Sequence, residues 1–279
     1  MGTFLQAGAS PNAISLRFER RSDMKPIRPI MNHKLLMFSL FCWMTVAMAS
    51  ASAAGEVLPK ITLTASTGQK AFTWVKVDAG NTVVETGVTI PFEVIEKPPS
   101  QTGKGPAGSI VVLPFPAVVR ASTFLNHFEL NWEKDGHEPK VFMVPHFDFH
   151  FYSVPAAEVY QVTAQDPLPP EAKKIPTGFV YPGGQYSVPQ MGVHAFRPAD
   201  LEKPFSDVLI YGFYGGKMTF IEPMVTRTRL LEKQAISYDI PVPGSLGSST
   251  RYPTKVDIRY DAKINCYHVI FSRFITATA

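Results

Sequence analysis

The segment His146–Tyr152, HFDFHFY, alternates without a break. His146, Asp148, His150 and Tyr152 occupy one parity; Phe147, Phe149 and Phe151 occupy the other. Aromatic residues at strict period two predict a β-strand, because successive side chains of a strand point to opposite faces. Pro145 suits the first residue of a strand or an edge. A strand that segregates three phenylalanines from two imidazoles and a carboxylate needs an apolar core on one side. On the other it needs a partner for buried or half-buried polar groups.

The strand reading limits the chemistry. With a rise of about 3.3 Å per residue, the Cα atoms of His146 and His150 lie roughly 13 Å apart. Without a bulge they cannot grip one ion together. His146 with Asp148, or Asp148 with His150, can, since residues i and i+2 project side by side. Zinc takes three or four ligands, so the rest must come from elsewhere. His127, His137 and Glu138 upstream, and His194, Glu222 and His268 downstream, are the candidates. The predicted metal-ligating set is His137, His146, Asp148, His150, His194 and Glu222. A His/carboxylate set fits a divalent metal, zinc first, with copper or manganese as alternatives. Two other readings use the same residues: a hydrogen-bonded polar ladder in which Asp148 fixes an imidazole tautomer, or a metal-free ligand or catalytic site.

The rest of the chain reads as mainly β, a single β-rich domain built as a sandwich or distorted barrel with long Pro/Gly-rich loops. Residues 71–90 give two alternating runs around Ala79-Gly80-Asn81, a hairpin signal. PFEVIEK is one helical turn, and SIVVLPFP and STFLNHFELNW read as strands. Residues 207–223 form the clearest hairpin, around Gly215-Gly216. Its simplest register sets Tyr214 opposite Lys217, Phe213 opposite Met218, Tyr211 opposite Phe220 and Leu209 opposite Glu222. Glu222 then shares a face with Leu209, Tyr211 and Phe213, where a carboxylate needs a cation, a donor or a metal. A last hairpin spans Lys255–Tyr260 and Ile264–Phe274. Residues 164–190 hold six prolines and three glycines. A loop this long covers a site, braces a neighbouring subunit or simply connects.

The N-terminal region reads differently. Lys34, an apolar run from Leu35 to Ala47, then Ala51-Ser52-Ala53 match the order of a secretory signal peptide over 31–54. Residues 1–30 read as a disordered extension or a mis-assigned start, and 55–279 as one domain. The apolar run is shorter than the about 20 residues a membrane span needs, so no stable membrane insertion is expected after cleavage. Removing residues 1–54 takes six of 27 basic and two of 23 acidic residues, leaving 21 of each. A neutral chain with no basic stripe argues against nucleic-acid binding. Cys42 lies in the leader, so Cys266 is left with no intramolecular partner and reads as a small core residue.

Taken in order, WVKVDAGNTVVETGVTI, VLPFP, HFELNWEKDGHEP, VPHFDFHFY and YGFYGGKMTFIEPMVT resemble the TTHB210-like domain family, over about residues 71–275. The most specific pieces are GHEP at 136–139 and PHFDFHFY at 145–152. The resemblance implies an exported β-rich domain and lends no established reaction. It also implies that His137, His146, Asp148, His150 and Glu222 stand at recurring polar positions. The expectation is therefore an extracytoplasmic, periplasmic or secreted β-rich protein with a metal site. Two alternatives stand beside it: a structural or homo-oligomeric assembly protein, and a module binding a small molecule under the 164–190 loop.

Overall fold

Among the described residues, twelve strands, all paired antiparallel, make two sheets. The computed structural model describes residues 70–278 apart from 101, 102, 104 and 105, and these belong to one compact unit. The extension and leader read over 1–54 lie outside the described residues. The smaller sheet has the order β1-β2-β12-β11-β10: β1 is Phe72–Val77, β2 Val83–Pro91, β10 Ile236–Asp239, β11 Thr250–Asp261 and β12 Cys266–Ala277. The larger runs β3-β4-β5-β9-β8-β7-β6, and one of the two sheets is curled like half a barrel. Here β3 is Val111–Pro114, β4 His127–Glu133, β5 His146–Tyr152, β6 Ser187–Val188, β7 Gly192–Ala195, β8 Asp207–Tyr214 and β9 Lys217–Thr226. The mainly-β, sandwich-like architecture expected from the sequence is the one observed.

The core lies between the sheets. Phe147, Phe149 and Phe151 point into it. Phe151 meets Phe271 of β12 at 4.5 Å between ring centroids and Phe128 of β4 at 4.9 Å. Trp132 packs on Phe147 at 4.6 Å. Each fully buried ring contributes about 2–3 kcal/mol of hydrophobic stabilisation, so β5 is pinned in register by the face that carries no chemistry. A one-residue slip would send the His/Asp row into the core.

Several boundaries differ from the sequence reading. Ala117–Ser122 is a short helix and the following strand begins only at His127. Lys140–Phe142 is a 3-10 turn that precedes β5. The register of β8 and β9 is also corrected. Tyr214 faces Lys217 and Phe213 faces Met218, but Gly212 then faces Phe220, leaving Thr219 as an extra residue on β9. This bulge moves Glu222 opposite Ile210, whereas Tyr211 faces Ile221 and Leu209 faces Pro223. Glu222 is therefore on the face away from the intersheet core, with Phe220 and Met224, and not with Leu209, Tyr211 and Phe213.

That outer face of the larger sheet is roofed by loops. All seven residues of β5 are buried, the polar ones included. Phe142 packs with Val208, Ile210 and Met224 on one part of the face. Val154, Val159 and Met191 pack with Tyr152 and Phe220 on another. The 164–190 segment forms part of this roof and is tied down. The Asp166 carboxylate accepts hydrogen bonds from the backbone of Leu168 and Gly215 at 3.1 and 2.9 Å and from the Tyr181 hydroxyl at 2.8 Å.

Candidate functional site

The six residues picked from the sequence come together, but as two groups of three rather than one. His137, His146 and Asp148 form the first; His150, His194 and Glu222 form the second. In each, one ligand atom from every residue lies within 4.8 Å of the others. The strand reading already keeps His146 and His150 from sharing one ion; the structure pairs Asp148 with His146 and gives His150 a different carboxylate, Glu222. His146 and His150 sit two pleats apart on β5, so each recruits its own partners.

In the first group β5 supplies His146 and Asp148, and the turn after β4 supplies His137. Gly136 makes that approach possible: at φ +72° a Cβ would sit 2.2 Å from the Phe142 carbonyl oxygen. The His146 Nδ1–H donates to the Val144 carbonyl at 2.6 Å, and the His137 Nδ1–H to the Glu138 carbonyl at 2.8 Å. A carbonyl oxygen only accepts, so both protons are on Nδ1 and both Nε2 lone pairs point inward. The Nε2 atoms are 3.2 Å apart; His146 Nε2 is 3.1 Å from Asp148 Oδ1, and His137 Nε2 is 3.6 Å from Oδ2. Two imidazole nitrogens and the two Asp148 oxygens face one another, and a cation or an added proton must hold them there.

The proton alternative shows in the electrostatics. Burial opposes a charge on His137, but the Asp148 carboxylate overrides it and raises the imidazole to about 9. Burial likewise opposes ionisation of Asp148, and His146 and His137 together outweigh it, holding the carboxyl well below the usual carboxylate range. The first group is thus an ion pair in its metal-free form.

The second group is built from three strands: His150 on β5, Glu222 on β9 and His194 on β7. His150 Nε2 lies 3.4 Å from Glu222 Oε1, and His194 Nε2 lies 3.6 Å from Oε2. Phe220 is wedged among them, 4.9 Å from His150 and 5.2 Å from His194 between ring centroids. Gly212 leaves room for it, since a Cβ there would come 1.9 Å from the Phe220 ring. Neither ring nitrogen of His150 makes a hydrogen bond to a protein group, nor does Glu222 Oε2, although all are buried. Orphaned buried polar atoms are rare and costly. Burial drives His150 down to about 3 and His194 to about 4. Burial, reinforced by the charges of Asp148 and Glu133, raises the Glu222 carboxyl well above its ordinary value. The second group is neutral in its metal-free form.

Both groups are compact enough to hold a metal ion, with one ligand atom from each residue within 4.8 Å of the others. Four tetrahedral ligands at about 2.0–2.2 Å from an ion lie roughly 3.3–3.6 Å from one another. The contacts above, from 3.1 to 3.6 Å, fall on or near that edge length.

The other candidates are placed elsewhere. His127 shares the polar face but pairs with Glu129 at 3.2 Å and stacks on Tyr152 at 4.8 Å. Glu129 in turn accepts from Ser109 Oγ at 2.7 Å. His268 is on the smaller sheet, bonded to Thr89 at 2.8 Å. Glu138 stands at the cavity wall beside His137, and Cys266 is buried, its thiol donating to the Ile264 carbonyl at 3.3 Å. Residues not anticipated are Glu129, Asn131 and Glu133, opposite His150, Asp148 and His146 on β4. Their signal was present in HFELNWE, whose polar residues recur at the same period as those of β5.

A cavity of about 970 Å³ opens over the two groups. His137 and Asp148 of the first and His194 of the second reach its wall. No family model matches the chain, and neither do the curated proteins or the solved structures. Among the described residues, no helix is long and apolar enough to cross a membrane.

Proposed function

We propose that this protein binds divalent metal, with His137, His146 and Asp148 as one ligand set and His150, His194 and Glu222 as another. The observation that carries the reading is the convergence of His137 Nε2, His146 Nε2 and Asp148 at tetrahedral-edge distances, with both Nδ1–H groups committed to backbone carbonyls. Such second-shell bonds orient metal-ligating imidazoles. Zinc suits two imidazoles and one carboxylate best; copper and manganese are accommodated by the same donors. Each set would hold an ion through three protein ligands, and a divalent ion held there would supply Lewis-acid chemistry.

The setting we favour is extracytoplasmic, supported by the order of basic start, apolar run and small residues in 31–54. Likeness to the TTHB210-like domain family, carried by GHEP and PHFDFHFY, fits the same setting. N-terminal sequencing of the exported product tests it: a new terminus near residue 54 supports export.

Elemental mass spectrometry of the tag-free protein tests metal binding. Zinc, copper or manganese at about one equivalent per occupied group, reduced in Asp148→Ala with unchanged oligomer size, supports it. No metal after incubation with each ion, together with altered assembly of Asp148→Ala, makes the polar face a structural device of the fold.

A further inference from the structure

Two carboxylates at the cavity wall belong to neither ligand set. Glu133, the last residue of β4, stands opposite His146, and Glu138 follows His137 in the turn; both line the cavity beside the first group. Among the described residues neither makes an ion pair or a side-chain hydrogen bond. Asp148, at the same wall, has a buried Oδ1 that accepts no hydrogen bond. Among the described residues no lysine or arginine lines the cavity. Lys134 and Lys140, the nearest in sequence, are exposed and outside the lining. Most of the remaining lining is apolar, with Phe142, Leu201, Ile210 and Met224 from the sheet and its neighbouring turns, and Tyr186 and Val188 from the anchored 164–190 segment and its end. The volume, about 970 Å³, is at the upper end of small-molecule sites.

We infer that this cleft binds a primary amine carried on an apolar body, with its ammonium held by Glu133 and Glu138 and its chain against Phe142, Leu201, Ile210 and Met224. The charge count takes in every ionisable side chain of the lining apart from the Tyr186 phenol: Glu133, His137, Glu138, Asp148 and His194. In the metal-free protein the His137 imidazolium offsets the Asp148 carboxylate, and His194 and Glu222 are neutral. Ionised Glu133 and Glu138 then leave two negative charges. A divalent ion in the first group, replacing the His137 proton, leaves one negative charge at that end, so the sign there does not change. A second ion, with Glu222 ionised, adds one positive charge at the other end and brings the whole cleft to zero. The amine is therefore held most tightly by the metal-free protein, and the inference does not rest on the metal reading. Burial and the Asp148 charge raise the Glu133 carboxyl above its ordinary value, and an ammonium beside it favours the charged form. Three N–H donors suit carboxylate oxygens that have no partner, and such charge-assisted bonds are about twice as strong as neutral ones. An acid of the same length would be repelled, and an alcohol would leave both carboxylates without a counter-charge.

The test is calorimetric binding of decylamine, decanol, decanoate and methylamine, at neutral pH, to the protein stripped by chelation. Decylamine is expected to bind at least about tenfold more tightly than decanol or decanoate, as a charge-assisted contact predicts. It is also expected to bind at least about tenfold more tightly than methylamine, which lacks the apolar body. Glu133→Gln should weaken decylamine about fivefold or more and leave decanol unchanged. Glu138→Gln, at an exposed position, repeats the test where folding is not at stake. Loading with zinc, its content read by elemental analysis, should weaken decylamine without abolishing its binding. Decanol, decanoate or methylamine binding as tightly as decylamine, indifference of decylamine to both glutamine substitutions, or tighter binding of decylamine after zinc uptake overturns the proposal.

Discussion

The two groups share a donor set, two imidazoles and one carboxylate, and they differ in charge. In the first, half-exposed His137 carries a proton that Asp148 balances. In the second, His150 and Glu222 are fully enclosed, and burial keeps the imidazoles neutral and the carboxyl protonated. Identical ligands therefore face an incoming ion in opposite states. The first group must give up the proton on His137 Nε2; the second must lose the one on Glu222. What separates them is the position of one residue: His137 arrives from a turn at the cleft edge, whereas its counterpart His194 comes from a strand within the sheet. Solvent access decides which form of the metal-free site is tolerable.

The comparison is broken most forcefully by removing one carboxylate at a time. Asp148→Ala should lower metal affinity at the first group by more than the roughly 100-fold that loss of an outer-shell partner costs. Calorimetric titration should then show a single remaining site. If both sites vanish together, the groups form one coupled centre.

The metal-free protein sharpens the contrast through stability. Asp148→Asn removes a buried, ionised carboxylate from its imidazole partners. It should cost about 2–4 kcal/mol in denaturant unfolding under chelation, somewhat below a fully enclosed pair because His137 is partly solvated. Glu222→Gln replaces a carboxyl that is already neutral with a group of the same shape, and should cost less than about 1 kcal/mol. Equal costs would remove the difference in charge state.

Gly212→Ala tests the second group alone. The new methyl meets the Phe220 ring, itself packed against His150 and His194. Overpacking should cost about 1–3 kcal/mol and impair metal uptake at the second group with the first intact.

The first group also differs from the second in pH dependence. His137 has a folded-state value raised to about 9. The stability it contributes is fully present below the unfolded value near 6.5 and is lost as pH rises through about 9. Unfolding midpoints of the metal-free protein, measured from pH 6 to 10, should therefore decline. The decline should be shallower in His137→Gln.

Much of this was legible in the sequence, because period two is a local signal. HFDFHFY announced both its strand and its two faces, and the same alternation in HFELNWE would have placed Glu129, Asn131 and Glu133 beside it. The hairpin at Gly215-Gly216 was legible at its tip and not beyond. Thr219 adds one residue to β9, and nothing in its side chain marks the bulge, so Glu222 was assigned to the wrong face. Burial of the polar row was not legible either. It depends on Phe142, Val154, Met191 and the 164–190 segment folding back over the sheet, contacts between residues far apart in the chain. For the same reason the sequence could separate His146 from His150 without assigning partners to each: which of His137, His194 and Glu222 joins which follows from the loop or strand that reaches each end of β5.

The central claim is that each group holds its own ion. Anomalous diffraction from crystals of the zinc-loaded protein, recorded on both sides of the zinc edge, tests it most directly. The account predicts two peaks, one about 2.0–2.2 Å from His137 Nε2, His146 Nε2 and an Asp148 oxygen, the other at the same distance from His150 Nε2, His194 Nε2 and a Glu222 oxygen. Zinc found only on surface residues, with both groups free of anomalous density, would contradict it.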